Sequence, residues 1–261
     1  MMQLKDQIGQ ELTLKGTPKR IVSLVPSQTE LLVYLGLEEL LVGVTKFCVH
    51  PKHLLKTKQI VGGTKQVHFD KIGDLRPDII LCNKEENTET IVEEAGKIAP
   101  VHVSDVKTLS QALELIQQYG ILFNKQHETN TLIAQIVIAE QQFKKTVASK
   151  PNKKVAYFIW RKPWMVAGND TFINTLLKLN GFTNVFKTTE GRYPEVQLSQ
   201  LKEMDYVFLS SEPFPFKDKH IAEIQVFTSA KIILVDGEYF SWYGSRLLGA
   251  FEYFKSLAQK L

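Results

Sequence analysis

A chain of 261 residues, 44% apolar and 23% charged, has the composition of a globular protein and is long enough to bury a core without disulfides or a metal. Its 32 basic and 28 acidic residues leave a net charge of +4 with no basic cluster, which argues against nucleic-acid binding. No apolar window approaches the length of about 18 residues that a membrane-spanning helix needs.

The first residues, Met1 to Gly9, show neither a basic start nor an apolar stretch. They do not read as a secretory signal, so the sequence by itself predicts a cytoplasmic protein. Residues 20–26 form a short β-branched run that predicts a buried strand. Ser27-Gln28-Thr29-Glu30 then has capping-box spacing and predicts a helix to about Leu35, stopped by Gly36. The alternation continues with a strand over 41–44, a short helix over 69–75, a strand over 78–81, a helix over 89–98 and a strand over 101–103. Strands alternating with helices predict a mostly parallel sheet covered on both faces.

From about Leu109 the pattern becomes purely helical. Leu132, Ile136, Ala139, Phe143 and Val147 recur at helical spacing, with no Gly or Pro between them. One helix over 125–150 would span roughly 38 Å. After Pro151 the alternation restarts. It predicts strands over 155–159, 206–209 and 232–235. Helices are expected over 170–179, with Asn169 or Asp170 as N-cap, over 198–203, and from 245 to the end. The expected fold class is α/β: two Rossmann-like lobes, 1–124 and 151–261, with mostly parallel sheets, bridged by the single helix at 125–150. Ligands of such sheets sit beyond the carboxyl ends of the strands, and two facing lobes make a cleft.

The predicted strand ends carry the residues with chemistry. The first lobe offers Pro26 and Ser27, the loop holding Cys48 and His50, the Gly62-Gly63 turn and Cys82. The second offers Trp160 and Trp164, then Arg192 and Tyr193, then Phe214, and finally Phe240, Trp242 and Arg246. All three tryptophans lie in these loops, where aromatic rings supply contact area at low entropy cost. They suit a flat, bulky ligand, and Arg192 and Arg246 would answer its anionic groups. Cys48, His50 and Cys82 are the candidates for a directly bound metal, a set with no recognised spacing. There is neither a Gly-x-Ser-x-Gly elbow nor a complete phosphate-binding lysine loop, so an enzyme is not expected. Glu85-Glu86 is the one adjacent carboxylate pair weighed for acid–base work, and such pairs ordinarily face solvent.

Four segments resemble the helical-backbone periplasmic binding proteins. They are Arg20-Ile21-Val22-Ser23-Leu24-Val25-Pro26-Ser27, Leu75-Arg76-Pro77-Asp78-Ile79-Ile80-Leu81, Trp164-Met165 with Gly168-Asn169-Asp170-Thr171-Phe172, and Asp236-Gly237 through Ser241-Trp242 to Arg246. Their order and spacing are similar to the substrate-binding components of importers for cobalamin, haem and siderophores, the cobalamin-binding members above all. The resemblance implies a monomeric receptor that grips one small-molecule ligand between its lobes. A corrinoid is the first choice, and haem or a siderophore the next. It requires no cofactor, although a corrinoid, haem or metal complex would be bound as ligand. The resemblance also implies a location in the periplasm or at the cell surface, and docking on the membrane subunit of an ABC transporter through one carboxylate per lobe. Asp70 matches the first of these, and Glu195 lies near the second. The alternative is a cytoplasmic carrier or sensor of a metal or metal complex on the same fold, with a metal-dependent enzyme behind it.

Overall fold

The computed structural model describes residues 2–261. The chain divides into two compact units. The first comprises residues up to Val106 together with Ser110–Ile136 and Tyr243–Arg246, and the second comprises Lys107–Leu109, Val137–Trp242 and Leu247–Leu261.

The first unit opens with an antiparallel pair, β1 (Met2–Lys5) and β2 (Glu11–Leu14). Asp6, buried at the turn, accepts from the amides of Ile8 and Gln10 at 3.1 and 2.8 Å, and from Val103 N at 3.0 Å. The main sheet is wholly parallel. It contains β3 (Ile21–Ser23), β4 (Leu41–Val44), β5 (Gln59–Ile60), β6 (Ile79–Asn83) and β7 (Val101–Ser104), in the order β5-β4-β3-β6-β7. β3, β6 and β7 are buried at every position, as in strands covered on both faces, and their buried polar residues are Ser23, Asn83, His102 and Ser104.

The helices of this unit are α1 (Pro26–Tyr34), α2 (Leu54–Thr57), α3 (Phe69–Asp74), α4 (Glu89–Gly96) and most of α5 (Leu109–Leu122). Val22, Leu24, Ile72, Ile80, Ile91 and Val103 lie in one of its core clusters.

The capping box expected at Ser27 does not form. Pro26 occupies the first helical position, Val25 caps without a side-chain bond, and Ser27 is buried inside α1. A proline's fixed φ suits the first turn of a helix, so the helix starts one residue early. Gly36, at φ 73°, ends it as expected.

α6 (Gln126–Val147) is the long helix, and its residues group with the first unit up to Ile136 and with the second from Val137. Leu132, Ile136 and Phe143 of the expected stripe are fully buried, while Ala139 and Val147 are half-buried. Close to the start of α6, Thr129 lies against Gly120 of α5. A Cβ on Gly120 would run into the Thr129 hydroxyl, which is held by the carbonyls of Lys125 and Gln126 at 3.0 and 3.2 Å. Gly120→Ala is therefore expected to destabilise the protein by about 1–3 kcal/mol, the usual range for overpacking. A denaturant melt would read this, and an unchanged midpoint would mean that α5 and α6 can separate freely there.

The second unit has a parallel sheet of β8 (Lys153–Trp160), β10 (Phe182–Asn184), β11 (Tyr206–Ser210) and β12 (Lys231–Val235). Their order is β10-β8-β11-β12, with β9 (Met165–Val166) antiparallel on β8. Its helices are α7 (Phe172–Leu179), α8 (Asp218–Gln225), α9 (Glu238–Ser241) and α10 (Leu247–Lys260). The cap of α7 is Thr171, whose hydroxyl accepts from Asn174 N at 3.0 Å, and not Asn169 or Asp170. Asp170 sits at φ 53°, outside the extended conformation that a cap residue adopts. The stretch at 198–203 is a single 3-10 turn, Leu198–Leu201. Phe143 meets Phe251 and Phe254 of α10 at ring distances of 6.0 and 5.8 Å.

Candidate ligand-binding site

In both parallel sheets the loops beyond the carboxyl ends of the strands carry the polar and aromatic side chains. In the first unit, Pro26 and Ser27 follow β3 and are buried. After β4, Lys46 and Phe47 are exposed, with Lys46 Nζ 5.1 Å from the Phe47 ring centre. Cys48, one residue on, is fully enclosed, its Sγ 3.1 Å from Thr29 Oγ1 and 3.3 Å from Thr45 Oγ1. His50 is half-buried beside it. Gly62 adopts φ 125°, and a Cβ there would lie 2.5 Å from Gln66 O; the buried Gly63 closes the same turn through Gln66 O at 2.7 Å. Only glycine fits position 62.

Beyond β6 and β7 lies a buried polar network that the sequence did not announce. Tyr119 OH donates to Gln28 Oε1 at 2.6 Å, Gln28 Nε2 donates to Ser104 Oγ at 2.6 Å, and Asn83 Nδ2 donates to Tyr243 OH at 2.8 Å. Burial holds the Tyr243 phenol up at about 12, so this network stays neutral at every physiological pH. Arg246 is paired through two nitrogens with Glu30 at 2.5 and 2.9 Å. Its guanidinium is thus committed to α1.

The thiols suit a metal poorly. The thiolate is the ligating form, whereas burial raises Cys48 and lifts Cys82 to about 12. Among the described residues no group of three His, Cys, Asp or Glu side chains is placed to hold a metal ion, and no helix is long and apolar enough to cross a membrane.

In the second unit the aromatic residues separate into two layers. Trp160, at the end of β8, is 39% exposed and meets half-buried Phe214 edge-on at 5.8 Å. Trp164 stacks on Phe216 at 6.2 Å, with the Arg161 guanidinium 5.8 Å from its ring. Arg161 is itself held by Glu223 at 2.7 and 3.1 Å. Arg192 and Tyr193 are half-buried, and Gly168 N donates to Arg192 O at 2.8 Å. Phe240, in contrast, belongs to the core: it is fully buried among Tyr157, Phe208, Tyr253 and Phe254 at ring distances of 4.8–6.3 Å. It has no ring surface to offer a ligand. Trp242 retains 7% exposure and donates through Nε1 to Glu212 at 2.9 Å.

Glu212, in the loop after β11, is a partly buried carboxyl group to which sequence reasoning gave no role. Its Oε1 also accepts from Ser241 Oγ at 2.5 Å. Burial, with Glu238 and Asp236 nearby, pushes its carboxyl up to about 7 despite these two donors.

Two groups therefore tilt stability with pH in opposite senses. Glu212 binds more protons folded than unfolded, so its contribution is present at low pH and is lost as pH rises through about 7. The buried His102 is lowered by burial, and its Nδ1 has no hydrogen-bond partner among the described residues; its contribution is present above the ordinary histidine range and is lost as pH falls. Glu212→Gln keeps the acceptor for both donors. It is expected to stabilise the fold at pH 8 by an amount on the order of 1–3 kcal/mol, with the gain vanishing near pH 5. Thermal melts across that range would check it, and a gain that grows on acidification would contradict it.

Two shallow depressions of about 340 and 330 Å³ lie elsewhere. One is lined by Gln10–Thr13 and Gly96–Val101, the other by Lys154, Thr183, Glu203 and Met204 among others. The first borders the amino end of β7, and the second lies between the amino end of β8 and the carboxyl end of β10.

Two units with parallel sheets, each presenting ring and hydrogen-bonding surfaces in the loops beyond its strand ends, have the architecture of an α/β solute-binding receptor. Residues 21–225 match the periplasmic binding protein family, and the chain belongs to it. It is 28% identical over 185 residues to the uncharacterised ABC transporter substrate-binding lipoprotein YvrC of Bacillus subtilis, a match spanning 67% of this chain and 58% of that relative's length. It is 24% identical over 240 residues to the vitamin B12-binding protein of Pectobacterium carotovorum, covering 88% of this chain and 85% of that one. The crystal structure of the periplasmic vitamin B12-binding protein of Vibrio cholerae shares the fold, with a TM-score of 0.80 at 22% identity over 94% of this chain and 99% of that one. The family is one of receptors, not enzymes.

Proposed function

We propose that this protein is the ligand receptor of an ABC importer and that it binds a flat or macrocyclic ligand, a corrinoid before haem or a siderophore. The observation that carries the reading is the aromatic surface formed by exposed Trp160 with half-buried Phe214 and Trp164 at the carboxyl ends of the second unit's strands. Ring surfaces of this size supply most of the binding energy of a large planar ligand. The vitamin B12-binding relatives support the first choice. In this reading the two lobes, 1–124 and 151–261, with the helix of 125–150 between them, work as a monomer outside the cytoplasmic membrane. The first lobe contributes Pro26, Ser27, Gly63 and the loop of Cys48 and His50. Arg192 and Tyr193 join the aromatic residues of the second. Protein purified from its native host should carry the absorbance bands of a bound corrinoid. Haem bands in their place would reverse the order of choice.

Docking on the transporter is assigned to Asp70 and Glu195, both exposed. Asp70 lies in the first turn of α3, and Glu195 bridges to Met165 beside β9. Asp70→Arg should reduce uptake by roughly tenfold, as expected for reversing a charge at a contact, while leaving the affinity for ligand in solution unchanged. Paired uptake and titration measurements decide this. Equal loss of both would move Asp70 into the ligand site, and unchanged uptake would remove it from the docking surface.

A further inference from the structure

Glu212 is placed by both of its neighbours. Its backbone N donates to Ser210 Oγ at 3.3 Å, and Ser210 Oγ in turn accepts from Tyr157 OH at 3.1 Å. Gly237 packs so closely that a Cβ on it would lie 2.7 Å from Glu212 Cγ. Trp242 Nε1 donates to Oε1, and the one hydroxyl proton of Ser241 is shared between Oε1 at 2.5 Å and Gly237 O at 2.8 Å. Oε2 accepts no hydrogen bond from the described residues.

A carboxyl group held by one oxygen and left open at the other is a directional hydrogen-bonding tool. When the group is neutral and both Ser241 and Trp242 donate to Oε1, its proton sits on Oε2. When ionised, it presents a lone pair and a negative charge there. The charged or titratable groups around it are Asp236 and Glu238 from the turn between β12 and α9, and Tyr157 from β8. Asp236 and Glu238 both work against a second carboxylate here.

Building on the receptor reading above, we propose that Glu212 is a specificity residue of the ligand site, whose Oε2 meets an uncharged amide or hydroxyl of the ligand and rejects a carboxylate. Amides and hydroxyls serve either protonation state of Glu212, because each can both donate and accept. A ligand carboxylate is repelled by the ionised group and can be met only by the protonated one. The residue therefore sorts amide-rich macrocycles from those that end in carboxylates.

The test is equilibrium titration of wild type, Glu212→Gln and Glu212→Ala with two probes, cyanocobalamin, whose rim bears amides, and haemin, which bears two carboxylates. A thermal melt of each variant confirms folding. Glu212→Gln should hold cyanocobalamin within about threefold and bind haemin about tenfold more tightly than wild type does. Glu212→Ala should lose about tenfold or more in cyanocobalamin affinity, the size of a buried hydrogen bond to a group that can ionise. Cyanocobalamin and haemin affinities that stay within twofold in both folded variants would overturn the role of Glu212 and leave the receptor reading standing. If neither probe binds any of the three proteins, the receptor reading for these ligands falls and the inference falls with it.

Discussion

Phe240→Ala is expected to lower the unfolding free energy by about 3–5 kcal/mol, the range for emptying a phenylalanine site in a packed core. The ring is fully buried and touches Tyr157, Phe208, Tyr253 and Phe254. Those four cannot close the gap without leaving their own contacts, because Tyr157 and Phe208 are fixed on β8 and β11. Chemical denaturation would measure the loss. Whatever fraction remains folded should still bind ligand with an affinity near that of wild type. A stable variant with weakened binding would return Phe240 to the ligand surface, where its position beside Trp242 in the sequence first suggested it.

Trp160→Ala should show the opposite division. The side chain is 39% exposed at the end of β8 and leans edge-on against Phe214. Its removal opens no cavity, so the melting temperature should move little. Affinity should fall by roughly 30-fold, because truncating a central aromatic commonly removes about 2 kcal/mol and about 1.4 kcal/mol is tenfold. Titration and melt on the same preparation read both quantities. A large fall in melting temperature with unchanged affinity would place Trp160 in the packing and remove it from the site. Trp242 lies between these cases, since it is nearly enclosed and its indole N–H is held by Glu212. Truncating it would disturb folding and the site together, which makes it a poor probe of either.

The contrast between Phe240 and Trp160 also marks how far the sequence could be read. Strands such as Leu41–Val44 and Ile79–Asn83 announced themselves because a strand buried on both faces must be apolar throughout. The long helix announced itself through the spacing of Leu132, Ile136 and Phe143. The hairpin of β1 and β2 gave no comparable signal, because only Leu12 and Leu14 of β2 turn inward and the order rests on Asp6 collecting amides from two segments.

The site was legible as a set of loops and illegible as a set of roles. That Phe240 points into the core depends on α9, a four-residue helix too short to show a period, and that Trp160 is exposed depends on its place at the last position of β8. The same helix delivers Ser241 and Trp242 to Glu212, a contact between residues 29 and 30 positions apart that no local pattern encodes. Arg246 read as a ligand anchor because an arginine beside aromatics suits an anion. Its partner, Glu30, lies 216 positions away and locally has the spacing of half a capping box.

The most direct test of the receptor reading is equilibrium dialysis of the purified protein against cyanocobalamin, with haemin and ferrichrome in parallel. Saturable binding of one cyanocobalamin per chain is predicted, with a dissociation constant on the order of 1 μM or below, tighter than for haemin and unaccompanied by any chemical change in the ligand. Failure to bind any of the three, or turnover of the bound compound, would contradict it.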